Sequence, residues 1–109
     1  MIYDLNAILL SELLEKSENP LVVLFSKDTC PACVLLKPEF NELSEREELR
    51  EIYRFFVVDV KEDSILAEKF GTGTPTIYVF FGDDGVEIPF PEEGYSLENI
   101  ENYLMELML

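Results

Sequence analysis

Apolar and polar positions alternate along the chain in blocks whose spacing predicts a short list of elements. Leu5, Ile8, Leu9, Leu13 and Leu14 recur at helical spacing, so residues 5 to 16 are expected to form an amphipathic helix. Asp4 or Asn6 is placed to cap it, and Met1 to Tyr3 to add a short strand before it. Ser17-Glu18-Asn19-Pro20 breaks the pattern. Leu21-Val22-Val23-Leu24-Phe25 is a continuous apolar run of strand length, which suits a central strand covered on both faces. Ser26 to Thr29 reads as a loop, followed by Cys30-Pro31-Ala32-Cys33 and a helical pattern from Pro31 to about Leu49. Pro31 fits the first turn of that helix, where a missing N–H costs nothing. Pro38 lies inside the helix and is expected to kink it. Glu39, Glu42, Glu45, Glu47 and Glu48 read as its solvated face.

Ile52 to Val60 is a second buried strand, Ser64 to Phe70 a short helix, and Gly71-Thr72-Gly73-Thr74-Pro75 a loop. Thr76 to Phe81 and Val86 to Phe90 flank Gly82-Asp83-Asp84-Gly85 as a hairpin. A helix from about Leu97 to Met108, capped by Ser96, closes the pattern. Strands and helices alternate first, which argues for parallel strands with crossover helices, and the hairpin then adds an antiparallel edge. The expectation is an α/β fold with a mixed sheet of about four or five strands and helices on both faces. No linker, repeat or low-complexity tract interrupts the 109 residues, which fit one domain over residues 1–109.

Composition narrows the function. Hydrophobic residues make up 48% of the chain, enough for a real core. The formal net charge is -15, from 23 acids and 8 bases. Nucleic acid is therefore not an expected partner, since phosphate binding needs clustered Lys and Arg, and an anionic membrane surface is disfavoured for the same reason. The plain reading of the charge is solubility; steering towards basic partners is the sharper one. No apolar run approaches the ~20 residues that span a bilayer. Met1-Ile2-Tyr3-Asp4 lacks the basic and apolar segments of a signal peptide, so the expected location is the cytoplasm.

The two cysteines carry the candidate chemistry. A close pair in such a chain points to redox chemistry or metal binding rather than a structural staple. Cys30 ends a loop after a buried strand, at the start of a helix, whose positive end lowers a thiol pKa. Cys33 lies about one turn on, on the same face. The spacing supplies an attacking thiol and a resolving thiol, and so a mixed-disulfide exchange. Two plainer readings stand beside this. Cys33 is also explained as a small buried apolar residue. The pair also supplies half of a zinc site, but the chain has no His and only these two Cys, so closure would need a second subunit or acidic ligands.

At this point the chain resembles the thioredoxin family over most of its length. The resemblance rests on Cys30-Pro31-Ala32-Cys33 at the strand-to-helix junction and on Pro38 five residues after the second cysteine. Phe25 before the site, Phe70-Gly71-Thr72-Gly73-Thr74-Pro75-Thr76 and Phe81-Gly82-Asp83-Asp84-Gly85 extend it. It implies a thioredoxin fold and a Cys30–Cys33 redox-active disulfide. It implies that Pro75 is a cis-proline facing the cysteines, and that Thr74 and Pro75, with Pro31 and Ala32, contact an extended substrate segment by strand addition. A trans turn residue is the plainer reading of Pro75. The implied function is a dithiol reductase of protein disulfides, without a cofactor or metal, acting as a monomer and reloaded by a thioredoxin reductase-type donor.

The departures are informative. Thr29 stands where the family usually has a tryptophan, and Leu24 where it has a buried acid that helps move the proton of the second cysteine. The loss of that group predicts slower exchange or tuning to one partner. Proline directly after Cys30 is also found in glutaredoxins, so a glutathione-linked oxidoreductase is a second expectation, although only Lys27 and Lys37 lie close in sequence to hold glutathione carboxylates. A non-enzymatic binding module or metal-bridged dimer is the third.

Overall fold

A computed structural model describes residues 3–16, 18–70, 74–82, 84–89 and 94–107. The expected Gly71-Thr72-Gly73 loop, Met1 and Ile2 of the first strand, Asp83 of the hairpin turn, Phe90 and Met108 lie outside the described residues. The elements run β1 (Tyr3–Asp4), α1 (Ala7–Lys16), β2 (Leu21–Ser26), α2 (Pro31–Ser44), α3 (Glu47–Arg50), β3 (Arg54–Asp59), α4 (Ser64–Phe70), β4 (Thr76–Phe81), β5 (Asp84–Glu87) and α5 (Leu97–Leu107). The strands form one mixed sheet in the order β1-β3-β2-β4-β5.

β2 is the centre of that sheet. All six of its residues are buried, as the continuous apolar run requires of a strand covered on both faces. It pairs parallel to β3, with Leu24 opposite Val57, and antiparallel to β4, with Leu24 opposite Ile77. Alternate residues feed two cores. Val22 and Leu24 pack with Leu36, Phe40, Leu43, Leu49, Ile100 and Leu104 on the α2–α5 side. Leu21, Val23 and Phe25 pack with Leu10, Phe56, Val58 and Leu66 on the α1–α4 side. The sheet is thus closed by helices on both faces, as expected for this fold class.

Two expectations on connectivity need correction. The helical pattern from Pro31 to Leu49 is not one helix but α2 and α3, parted at Glu45 and Arg46, where Arg46 is extended (φ -68°, ψ 127°). In a straight helix Leu49 would point about 120° away from Leu43. The break turns Leu49 back so that both side chains are fully buried. Arg46 holds the corner by an ion pair to Glu101 on α5 and a longer one to Glu42. The connection from β3 to β4 is also not a full crossover. α4 has seven residues, about 10 Å of helix, too short to return along a six-residue strand of roughly 20 Å. The chain re-enters at the end of the sheet it left, and β4 runs antiparallel to β2.

The caps follow the sequence. Asn6 Oδ1 accepts from the Leu9 N–H at 2.9 Å at the start of α1. Ser96 and Asn99 bond reciprocally at α5, at 3.2 and 2.9 Å, a capping box built with Asn. The β4–β5 hairpin turns through Gly82, whose φ of 61° suits glycine. Near the far end of α5 the buried Tyr53 hydroxyl donates to the Leu104 carbonyl at 2.8 Å.

Candidate active site

The site sits where β2 runs out and α2 begins. Lys27 to Cys30 form the turn between them, closed by the Cys30 N–H donating to the Lys27 carbonyl at 3.1 Å. Cys30 is the N-cap of α2, extended at φ -95° and ψ 108°. Its sulfur accepts from the Cys33 N–H at 3.2 Å, so a backbone donor of the first turn points at the atom that would carry charge. Pro31 opens the helix, as expected, and the helix continues through Pro38.

Both cysteines are free thiols, so the structure carries the dithiol form. Cys30 is partly exposed, and its thiol donates to the Thr74 carbonyl at 3.6 Å. Cys33 is 1% exposed, one turn along α2 and behind Cys30. Their environments push them apart. Burial by itself would raise Cys30, but hydrogen bonds from the Cys33 side chain and N–H, from the Thr74 side chain and from the Ala32 N–H outweigh it and hold the thiol below its ordinary value. Burial pushes the Cys33 thiol up, and the neighbouring Cys30 sulfur pushes it further. One thiol ionises readily and the other resists, which suits a nucleophile and a resolving partner.

The Thr74–Pro75 peptide bond is cis. Thr74 is half-buried against Cys30, and Pro75 is buried. Pro75 and Ala32 share a cavity of about 430 Å³ with Leu35, Leu36, Glu39, Gly94 and Tyr95. The structure therefore brings Cys30, Cys33, Thr74, Pro75 and Ala32 to one place. Pro31 is exposed at the helix start and lines neither this cavity nor the one on the other flank of α2. Among the described residues no group of three His, Cys, Asp or Glu is placed to hold a metal ion.

Sequence reasoning missed three contributors. Val34 and Leu35 are 56% and 76% exposed beside the cysteines. The signal was available, because Cys33, Leu36, Phe40 and Leu43 already account for the buried stripe of α2, leaving two apolar residues outside it. Tyr95 lines the cavity from the segment before α5, its hydroxyl donating to the Ile88 carbonyl at 2.6 Å. Burial pushes that phenol up to about 12. The departures also have places in the fold. Thr29 is exposed in the turn before Cys30, and Leu24 is fully buried on the α2 side of the sheet.

The comparisons with known proteins agree with this geometry. The sequence profile of the Thioredoxin family matches residues 4–106, and the chain belongs to the thioredoxin family. It is 36% identical to Thioredoxin H4 of Arabidopsis thaliana over 66 residues, which cover 60% of this chain. The match spans 54% of the length of that relative, about half. The structure resembles reduced thioredoxin pre-protein of Schistosoma mansoni with a TM-score of 0.77 at 25% identity, covering 96% of each chain. It resembles the thioredoxin of Malassezia sympodialis with a TM-score of 0.83 at 17% identity, covering 97% of this chain and 90% of the other. That second likeness is one of fold.

Proposed function

We propose that this chain catalyses thiol–disulfide exchange and works as a dithiol reductase of protein disulfides. The observation that carries the reading is the placing of Cys30 at the N-cap of α2, with the Cys33 N–H donating to its sulfur and the Cys33 thiol buried one turn behind. Membership of the thioredoxin family and the two-residue spacing of the pair support it.

In this reading the Cys30 thiolate attacks a sulfur of the target disulfide. A Cys30–target bond forms, and the other target sulfur leaves with the electron pair. Cys33 then attacks the Cys30 sulfur, closes the Cys30–Cys33 disulfide and releases the second target sulfur. The target gains two electrons and two protons, and the pair is oxidised. In this reading Thr74, whose carbonyl accepts from the Cys30 thiol, and Pro75, which lines the cavity with Ala32, form a ledge on which an extended segment pairs. The exposed Val34 and Leu35 give such a segment apolar surface to cover. A thioredoxin reductase-type donor would restore the dithiol, and a reducing compartment such as the cytoplasm suits that cycle.

The test is the reduction of a protein disulfide in the presence of a dithiol reductant. Wild-type chain is expected to accelerate it, and Cys30→Ser to abolish the acceleration. Activity retained by Cys30→Ser overturns the reading.

A further inference from the structure

Resolution of a mixed disulfide requires the Cys33 thiol to lose its proton, and among the described residues no carboxylate of the sheet lines the cavity at Cys33. Leu24, Val57 and Ile77 are neighbours across β2, β3 and β4 and belong to the apolar core on that side. Asp59 is next to Ser26 in the strand register. However, it accepts from the Lys61 N–H at 2.9 Å and lines a different cavity, with Glu62 and Asp63. Burial meanwhile disfavours the Cys33 thiolate.

Cys33 does have an opening on the flank of α2 away from Pro75. A cavity of about 500 Å³, open to solvent, is lined by Ser26, Lys27, Asp28, Cys33, Val34, Lys37 and Pro38. At about 30 Å³ per molecule it has room for several waters. Ser26 is 3% exposed. It is the last residue of β2, and the alternation that sends Val22 and Leu24 to the α2 side sends Ser26 there too. Its hydroxyl can both donate to and accept from a water. In this strand of six buried residues it is the only polar one.

We propose that this cavity is the proton exit of Cys33 and that Ser26 is the positioning residue that holds the accepting water. The inference rests on the exchange reading above. The Cys33 S–H proton passes to a cavity water and on to solvent, and the thiolate attacks the Cys30 sulfur. The Cys30–Cys33 bond forms as the Cys30–target bond breaks, and the departing target thiolate takes a proton from solvent. The charged groups lining the cavity are Lys27, Lys37 and Asp28, and Cys30 faces Cys33 from the N-cap. The two ammonium groups favour a thiolate there, and Asp28 and an ionised Cys30 oppose it. Formation of the mixed disulfide removes the Cys30 charge just before Cys33 must ionise.

The two chemical steps separate in stopped flow with 2,2′-dithiodipyridine, a neutral disulfide that releases one chromophore when Cys30 attacks and a second when Cys33 resolves. Ser26→Ala is expected to leave the first phase near the wild-type rate. It should slow the second by roughly ten-fold, below the range of a well-placed acid–base group because a water remains, and move the pH midpoint of the second phase upward. Ser26→Thr, which keeps the hydroxyl, is expected to restore both rate and midpoint. Thermal melts check that each variant is folded. A second phase unchanged in Ser26→Ala overturns the inference, as does a Ser26→Thr variant as slow as Ser26→Ala, which marks a packing effect. Absence of the first phase in the wild-type chain overturns the exchange reading itself, and the inference with it.

Discussion

Replacing Leu24 with Asp restores the acid that thioredoxins usually carry on the strand before the site, and the structure predicts a large cost. Leu24 is fully buried, between Val57 and Ile77 and in the same core as Leu36 and Phe40. Removing a buried leucine side chain costs about 2–5 kcal/mol. Burying a carboxyl without a partner adds about 1–3 kcal/mol even when it is protonated. The sum, about 3–8 kcal/mol, is a large part of the roughly 5–15 kcal/mol that holds a typical domain together. It also depends on pH. Burial raises the folded pKa of the new carboxyl above the unfolded value of about 3.9. Its relative stabilisation is fully present below that value and is lost as pH rises through the folded pKa, by about 1.4 kcal/mol for every pH interval of one between the two values. Urea unfolding followed by far-UV circular dichroism at pH 5 and pH 8 reads both effects. The expected result is a midpoint well below wild type at pH 5 and lower still at pH 8. A variant as stable as wild type at pH 8 would refute the apolar wall beneath α2, and with it the reason Cys33 needs another proton route.

Three further outcomes are expected. Alkylation by iodoacetamide against pH should show Cys30 reacting with a midpoint below the ordinary thiol value, with Cys33 slow until higher pH, because hydrogen bonds lower the first thiol and burial raises the second; equal reactivity of the two contradicts this. The same shifts give opposite contributions to stability: that of Cys30 is present above the ordinary thiol pKa and lost as pH falls through its lowered value, and that of Cys33 is present below the ordinary pKa and lost as pH rises through its raised value. Tyr53→Phe removes the hydroxyl that donates to the Leu104 carbonyl and should cost about 1–2 kcal/mol in urea unfolding, a cost absent if that carbonyl is already satisfied by water. Gly85→Ala places a Cβ 2.7 Å from the Phe80 ring, and the ring must shift at about 1–3 kcal/mol; an unchanged melting temperature shows that the hairpin yields freely.

Much of the fold was legible because the chain uses simple patterns. The run Leu21 to Phe25 suits a strand covered on both faces, and all six residues of β2 are buried. Asn6 and Ser96 cap the helices they precede. The corner at Arg46 was not legible, since residues 31–49 keep a helical pattern and the break is set by where Leu49 must point and by the Arg46–Glu101 pair on a distant helix. The antiparallel sense of β4 was hidden for a related reason: alternation of strands and helices says nothing about how far a short helix carries the chain.

The cysteine pair itself was readable from spacing, and its position at the start of α2 from Pro31. What surrounds it was not. The cavity behind Cys33 joins Ser26 to Lys37, eleven positions apart in sequence, across the strand–helix junction. The cavity on the other flank joins Ala32 to Pro75 and Tyr95, three segments that only the tertiary fold assembles. Ser26 read as the first residue of a loop because a serine after five apolar residues looks like a strand end. Its burial comes from α2 lying over it.

Whether Cys30 and Cys33 cycle between dithiol and disulfide is decided by equilibrating the chain in glutathione or dithiol buffers of graded potential and counting free thiols. A reversible two-electron transition in the thioredoxin range, near about -270 mV, is expected. A pair that forms no reversible disulfide with each other at any poise would contradict the exchange chemistry on which the proposed function stands.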